Sequence, residues 1–223
     1  IKITMYYSPI GIACYFASYV GSFGVSIAAG FLRVAILYAV VALAYYVIMY
    51  SLYAFISGGR KAVNVWWKNI LPSTFTALAT CSSAACIPIN IDSAKKMNVS
   101  EDVADTTISL ATNLHQDGSM IGSVFKIMFL VCLFGTNISD PGTIFQILVT
   151  ALVASVLISA VPIGGGTISE MVIISMLGYP VAALPVLTMI ATVIDAPATT
   201  LNAVGDTSCS LLVSRVVDGK DWV

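Results

Sequence analysis

An all-α integral membrane fold, with helices that break part-way along their length, is predicted by three observations. The first is composition: the chain is 58% apolar and 9% charged, with mean hydropathy +0.95. An ordinary soluble domain carries about 25% charged residues. The second is that the long apolar stretches are interrupted by short polar, glycine- or proline-bearing runs at Thr80–Pro88, Asn113–Ser119 and Ser159–Thr167. Non-helical backbone at membrane depth survives only where protein or a water-filled cavity satisfies it. The third is that Asp195, Asn202 and Asp206 fall on one stripe of the last apolar segment. At about 100° per residue their separations return to within roughly 20° of the starting direction. Carboxylates and an amide stacked this way in hydrocarbon cost several kcal/mol unless cations meet them, so the stripe predicts an ion and solute path. The net charge of −1 argues against a nucleic-acid partner.

Residues 1–20 read as a truncated transmembrane helix. The chain opens inside an apolar stretch, and we expect it to be part of a longer polypeptide. Residues 26–56 read as a transmembrane helix with Arg33 near its start. About 30 residues at 1.5 Å each exceed a hydrocarbon core of about 30 Å, so this helix must tilt or protrude. Gly58, Gly59, Arg60 and Lys61 end it, and Trp66, Trp67 and Lys68 are expected as interfacial anchors. Residues 63–97 are expected to form a first re-entrant hairpin, its small, hydroxyl-rich turn closed by Pro88, since proline removes a backbone donor and disfavours helix before it. Residues 103–134 form a broken transmembrane helix in which Gly118 is expected to permit unwinding. Residues 142–178 repeat the hairpin design around Pro162 and Gly164–Gly166, and 180–215 form the last transmembrane helix, with Pro185, Pro197 and the stripe.

Loop charges orient these elements. Arg60, Lys61 and Lys68, then Lys95 and Lys96, then Arg215 and Lys220 are basic, whereas the loops near 21–25, 135–143 and 177–184 carry no Lys or Arg. By the positive-inside rule the first group is cytoplasmic and the second external. Segment 63–97 then starts and ends inside and 142–178 starts and ends outside, so the two hairpins are oppositely oriented. Paired interrupted segments of this kind point to a secondary transporter's binding site. The five cysteines (Cys14, Cys81, Cys86, Cys132, Cys209) lack zinc spacing and are expected to be small buried hydrophobes.

Four motifs occur in order: Ser82-Ser83-Ala84-Ala85 through Pro88, Gln116-Asp117-Gly118-Ser119, the run Gly164-Gly165-Gly166, and Asp195…Thr199…Asn202…Gly205-Asp206. Together they resemble the dicarboxylate/amino acid:cation symporter family, which includes the glutamate transporters, over the whole chain. The resemblance implies a glutamate-transporter-like transport domain, the C-terminal half of such a protein. Its two hairpins meet tip to tip and hold solute against the last two helices. It further implies sodium ions as coupling cations, an elevator motion, and a homotrimer assembled through an N-terminal scaffold absent from this chain. The setting is the lipid bilayer of the cell (inner) membrane, crossed several times.

Residue roles follow from the same resemblance. Asp206 matches a sodium-ligating aspartate, with carbonyls of Ala111, His115 and Asn202 completing that site, and Asp117 matches a second cation ligand. His115 and Gln116 stand where the family signature has asparagine and methionine, which puts its deeper sodium site in question; His115, the only histidine, also opens a proton-coupled step. Asn202, helped by backbone N–H groups at Ser82 and Ser83, is expected to hold a substrate carboxylate. Asp195 is expected to meet an amino group, and Ser119 and Thr199 to line the substrate site. Acidic-substrate members place an arginine at Ala198 or at Cys81; without that bidentate clamp a neutral amino acid is favoured. Pro162, Gly164, Gly165 and Gly166 are expected to form a gate. Glu170 stands where an apolar residue is expected: it could pair with Lys126, shift a cation site, accept a cationic side chain, or be structural.

The expectation is therefore a symporter coupling sodium, with a proton as a further coupling ion, to uptake of a small neutral amino acid. A dicarboxylate or acidic amino acid symporter of the same family and a membrane channel are the alternatives. An intramembrane aspartyl enzyme is disfavoured, because Asp195 and Asp206 share one helix instead of facing each other.

Overall fold

The computed structural model describes residues 25–160, 165–219 and 222–223, with isolated positions before residue 25. Among these the chain is helical and contains no strand. Most of the expected helix over 1–20 lies outside the described residues, as do Pro162 and Gly164 of the expected gate.

Helix α1 spans Val25–Asn69, with non-helical backbone at Gly58 and Gly59. Gly59 has φ 66° and ψ −151°, a region open essentially only to glycine. The chain folds back there: the Trp67 indole N–H donates to Ser51 Oγ at 3.1 Å, and the Tyr46 ring lies 5.6 Å from that of Trp66. For Trp66 this corrects the expectation of an interfacial anchor. Trp66 is fully buried and donates to Ser208 Oγ at 3.0 Å, because the returning turn presses it onto the last helix.

Helices α2 (Leu71–Thr80) and α3 (Ser83–Lys96) are joined by Cys81 and Ser82 alone. Cys81 takes a left-handed φ of 47°, and Ser82 caps α3 by accepting from the Ala85 N–H at 3.3 Å, the usual service of an N-cap serine. The break is shorter than expected. Pro88 lies inside α3 and does not close a turn, although it removes the donor to the Ala84 carbonyl. The two helices pack against each other.

Helix α4 (Glu101–Leu114) and α5 (Asp117–Phe134) are separated by His115 and Gln116. Gly118 is helical, so its role is not unwinding. Helices α6 (Pro141–Ala160) and α7 (Gly165–Leu177) form the second packed pair. After a 3₁₀ turn at Val181–Ala183, α8 runs from Leu184 to Val217. It contacts α1, α2, α3, α4, α5 and α7, and every residue from Ala198 to Ser208 is buried. That stretch is rich in Ala, Thr, Ser and Gly, whose small side chains let neighbouring backbones approach closely.

Among the described residues four helical stretches are long and apolar enough to cross a membrane: Ala29–Asn69, Glu101–Phe134, Pro141–Ile158 and Val181–Val217. On α1, Tyr38, Ala42, Tyr50 and Ala54 face inward, while Leu32, Ile36, Val40 and Leu43 are more than half exposed. An apolar face of that length belongs against lipid or further protein. Among the cysteines only Cys86 is fully buried; Cys14, Cys81 and Cys132 are exposed, which corrects the uniform burial expected of them.

Candidate functional site

The α8 stripe faces the α4–α5 break through Asn202 and Asp206, which meet different ends of it. Asn202 meets the start of α5. Its Oδ1 accepts from the backbone N–H of Gly118 at 2.8 Å and of Ser119 at 3.3 Å. Its Nδ2 donates to Gln116 Oε1 at 3.0 Å and Ser119 Oγ at 2.9 Å. The break thus leaves two N–H groups without helical carbonyls, and an amide from another helix caps them in place of the serine or aspartate that ordinarily does so. The remaining part of Asn202's expected role, holding a substrate carboxylate, competes with this use of both its donors.

Close contact makes that cap possible. A Cβ on Gly118 would fall onto the backbone carbonyl of Ala198, and one on Gly205 would strike the His115 ring. Because backbone cannot swing aside, Gly118→Ala should lower the thermal unfolding temperature of the full-length protein in detergent by several degrees, reflecting about 1–3 kcal/mol of overpacking. An unchanged midpoint would contradict the close approach.

Asp206 meets the end of α4. It is fully buried; its Oδ2 accepts from the Thr112 hydroxyl at 3.0 Å, while Oδ1 has no hydrogen-bond partner. His115 stands between the two acids. Its Nε2 is 3.0 Å from Asp117 Oδ2, which also accepts from the Tyr45 hydroxyl at 2.6 Å, and its Nδ1 faces Asp206 Oδ1 at 4.0 Å. With Nε2–H donating to Asp117, a neutral ring turns its bare Nδ1 lone pair toward a carboxylate oxygen. Two acceptors facing each other in a buried place call for a cation or a proton. Among the described residues no cluster of three or more His, Cys, Asp and Glu able to hold a metal ion occurs. A cation here would therefore draw on Asp206 and on hydroxyl and carbonyl oxygens, the donor set of a hard ion. The end of a helix also offers it the negative pole of the backbone dipoles. Ala111, expected to lend a carbonyl, accepts from the His115 N–H at 2.7 Å, leaving one lone pair free.

Asp195 meets neither end of the break. It lines a cavity of about 140 Å³ with Ser119, Ala198 and Gly166, and with Gly122, Lys126 and Glu170. Thr199 donates to Asp195 Oδ1 at 3.4 Å, and the Cys81 thiol stands beside the same carboxylate, so the α2–α3 tip reaches this part of α8. Ser82, Ser83, Thr199 and Asn202 do not line the cavity. Gly165 begins α7 and Gly166 stands at the cavity.

Two features escaped the sequence reading. Tyr38, Tyr45 and Tyr50 of α1 act as donors to the site: Tyr38 to the Gly118 carbonyl at 2.8 Å, Tyr45 to Asp117, and Tyr50 to the Leu201 carbonyl at 2.6 Å. Their spacing confines them to an arc of about 140°, a signal hidden because tyrosine counts as apolar in a hydropathy window. Asn90 likewise donates to the Ala203 carbonyl at 2.8 Å.

Among the described residues, fold and site together define an all-helical membrane protein whose polar centre lies at interrupted helices. The chain belongs to the sodium:dicarboxylate symporter family, whose profile matches residues 1–216. It is 27% identical over 154 residues to an L-cystine uptake protein of Bacillus licheniformis, covering 68% of this chain and 33% of that one. It is 29% identical over 148 residues to neutral amino acid transporter A of Homo sapiens, covering 66% and 27%. With excitatory amino acid transporter 2 of Mus musculus identity is 24% over 204 residues, covering 91% and 35%. The chain thus spans about a third of the length of these relatives.

Proposed function

We propose that this chain is the transport portion of a secondary symporter that couples inward sodium movement to uptake of a small neutral amino acid. The observation that carries the reading is Asp206: a fully buried carboxylate at a helix break, one oxygen of which has no hydrogen-bond partner. A cation supplied from outside meets that demand. Names of relatives that transport cystine, neutral and excitatory amino acids favour an amino acid solute. Ala198 and Cys81, where an arginine would clamp an acidic side chain, favour a neutral one. Asp195 supplies the counter-charge for the ammonium group.

In this reading α2–α3 and α6–α7 are oppositely oriented re-entrant hairpins, and the segment 162–166, with Pro162, Gly164, Gly165 and Gly166, is the external gate. Sodium at Asp206, with Asp117 tuning or completing the cation site, braces the α4–α5 break and with it Asn202. Cation and solute affinities then rise together, as linkage requires. This portion moves like an elevator in the inner membrane against a homotrimeric scaffold built from N-terminal helices of the full-length protein.

Full-length protein in proteoliposomes tests this. An inward sodium gradient should drive accumulation of one or more labelled amino acids, and internal unlabelled solute should accelerate counterflow. Downhill flux without counterflow would assign a channel instead, and no sodium dependence would remove the coupling.

A further inference from the structure

Lys126 and Glu170 form a buried pair that the proposed cation site does not use. Lys126 is 4% exposed and Glu170 2%, on α5 and α7 respectively. Their closest approach, Nζ to Oε1, is 4.0 Å. By contrast the exposed pairs Lys95–Glu101 and Lys96–Asp92 each close to 2.7 Å. An ion pair gains most from closing where water is excluded, yet here the buried pair is the open one. Glu170 is held back by the Thr188 hydroxyl, which donates to Oε2 at 2.6 Å. Among the described residues the ammonium, with three donors, has Glu170 as its one ion-pair partner, at 4.0 Å. It borders the same cavity as Asp195, Ser119 and Gly122. Asn202, the other expected partner of a solute carboxylate, spends both its N–H donors on Gln116 and Ser119.

We propose that Lys126 is a specificity-determining residue whose ammonium accepts a carboxylate of the transported solute, while Asp195 takes its ammonium group. Glu170 faces the ammonium across 4.0 Å when the cavity is empty, and an arriving carboxylate closes on the donors that Glu170 leaves free. The assignment rests on the amino acid carrier reading above. It identifies which side chain reads the anionic end of the solute, a role that neither helix break fills. Since Glu170 lies on α7, binding at Lys126 is also felt by the second helical pair.

The test is competition against uptake of a labelled amino acid by full-length protein in proteoliposomes. Alanine is compared with alaninamide, and glutamate with glutamine, so the two pairs separate the α-carboxylate from a side-chain one. Wild type should prefer the carboxylate member of at least one pair by about tenfold or more. K126M/E170Q, which removes both charges at nearly constant volume, should reduce that preference to within about threefold. E170Q alone, which keeps the ammonium, should retain it. A K126M/E170Q protein with wild-type preference in both pairs overturns the proposal, as does a wild type with none. If the double variant does not fold, K126Q/E170Q takes its place and is read the same way: preference within about threefold supports Lys126, and wild-type preference overturns the assignment. A wild type that takes up no amino acid at all defeats the carrier reading first, and this assignment with it.

Discussion

Asp206→Asn should abolish sodium-driven uptake while leaving the fold intact. The substitution is nearly isosteric. The oxygen of the new amide can still accept from Thr112, as Oδ2 does at 3.0 Å. The new NH₂ would face His115 Nδ1, now 4.0 Å from Oδ1, turning two opposed acceptors into a donor and an acceptor. Stability should therefore hold or rise slightly, which thermal unfolding in detergent would read. The negative charge is lost, however, and with it the reason for a cation to enter a place fully shielded from solvent. Losing a charge-assisted contact worth about 3 kcal/mol lowers affinity on the order of 100-fold, and uptake at ordinary sodium should vanish. A folded D206N protein with wild-type sodium dependence would end the assignment of Asp206 as the coupling residue.

The positions of the breaks were legible before any coordinates because lipid is so unforgiving a solvent. Hydroxyl-rich or strongly polar runs at Thr80–Pro88 and Asn113–Ser119 have no place in an unbroken lipid-facing helix, and both runs contain a break. The α8 stripe was legible for the same reason, and it does face the broken helix. What the sequence hid was how little backbone unwinds and what satisfies it. Pro88 and Gly118 are weak helix formers, yet both are helical; at Gly118 the close approach of α8 requires the missing side chain. Periodicity describes a helix's own faces and is silent about a partner 84 residues away, which is the separation of Gly118 from Asn202. The Lys126–Glu170 pairing is one of several open readings; only the packing of α5 and of α7 against α8 brings the two side chains together in a cavity.

Asn202→Ala tests the other half of the site, and its effect should fall on the fold itself. Removing the amide leaves the Gly118 and Ser119 N–H groups without their acceptor, and Gln116 Oε1 and Ser119 Oγ without their donor. Ser119 Oγ still donates to Gln116 Oε1 at 2.9 Å, so the side chains recover part of their bonding; the two backbone donors do not. Asn202 is 6% exposed, and water cannot readily replace it. Each orphaned buried group costs about 1–3 kcal/mol, so the variant should lose about 2–5 kcal/mol, a fall on the order of 5–15 °C in the unfolding midpoint. Amide exchange at residues 117–120 should accelerate far more than in α1. Asn202→Asp separates capping from polarity, because its carboxylate still accepts from both N–H groups and is favoured by the positive pole of α5. It should recover most of the stability. If N202A instead melts at the wild-type temperature with unchanged exchange at 117–120, α5 starts without help from α8, and the side chain of Asn202 is free for the solute carboxylate after all.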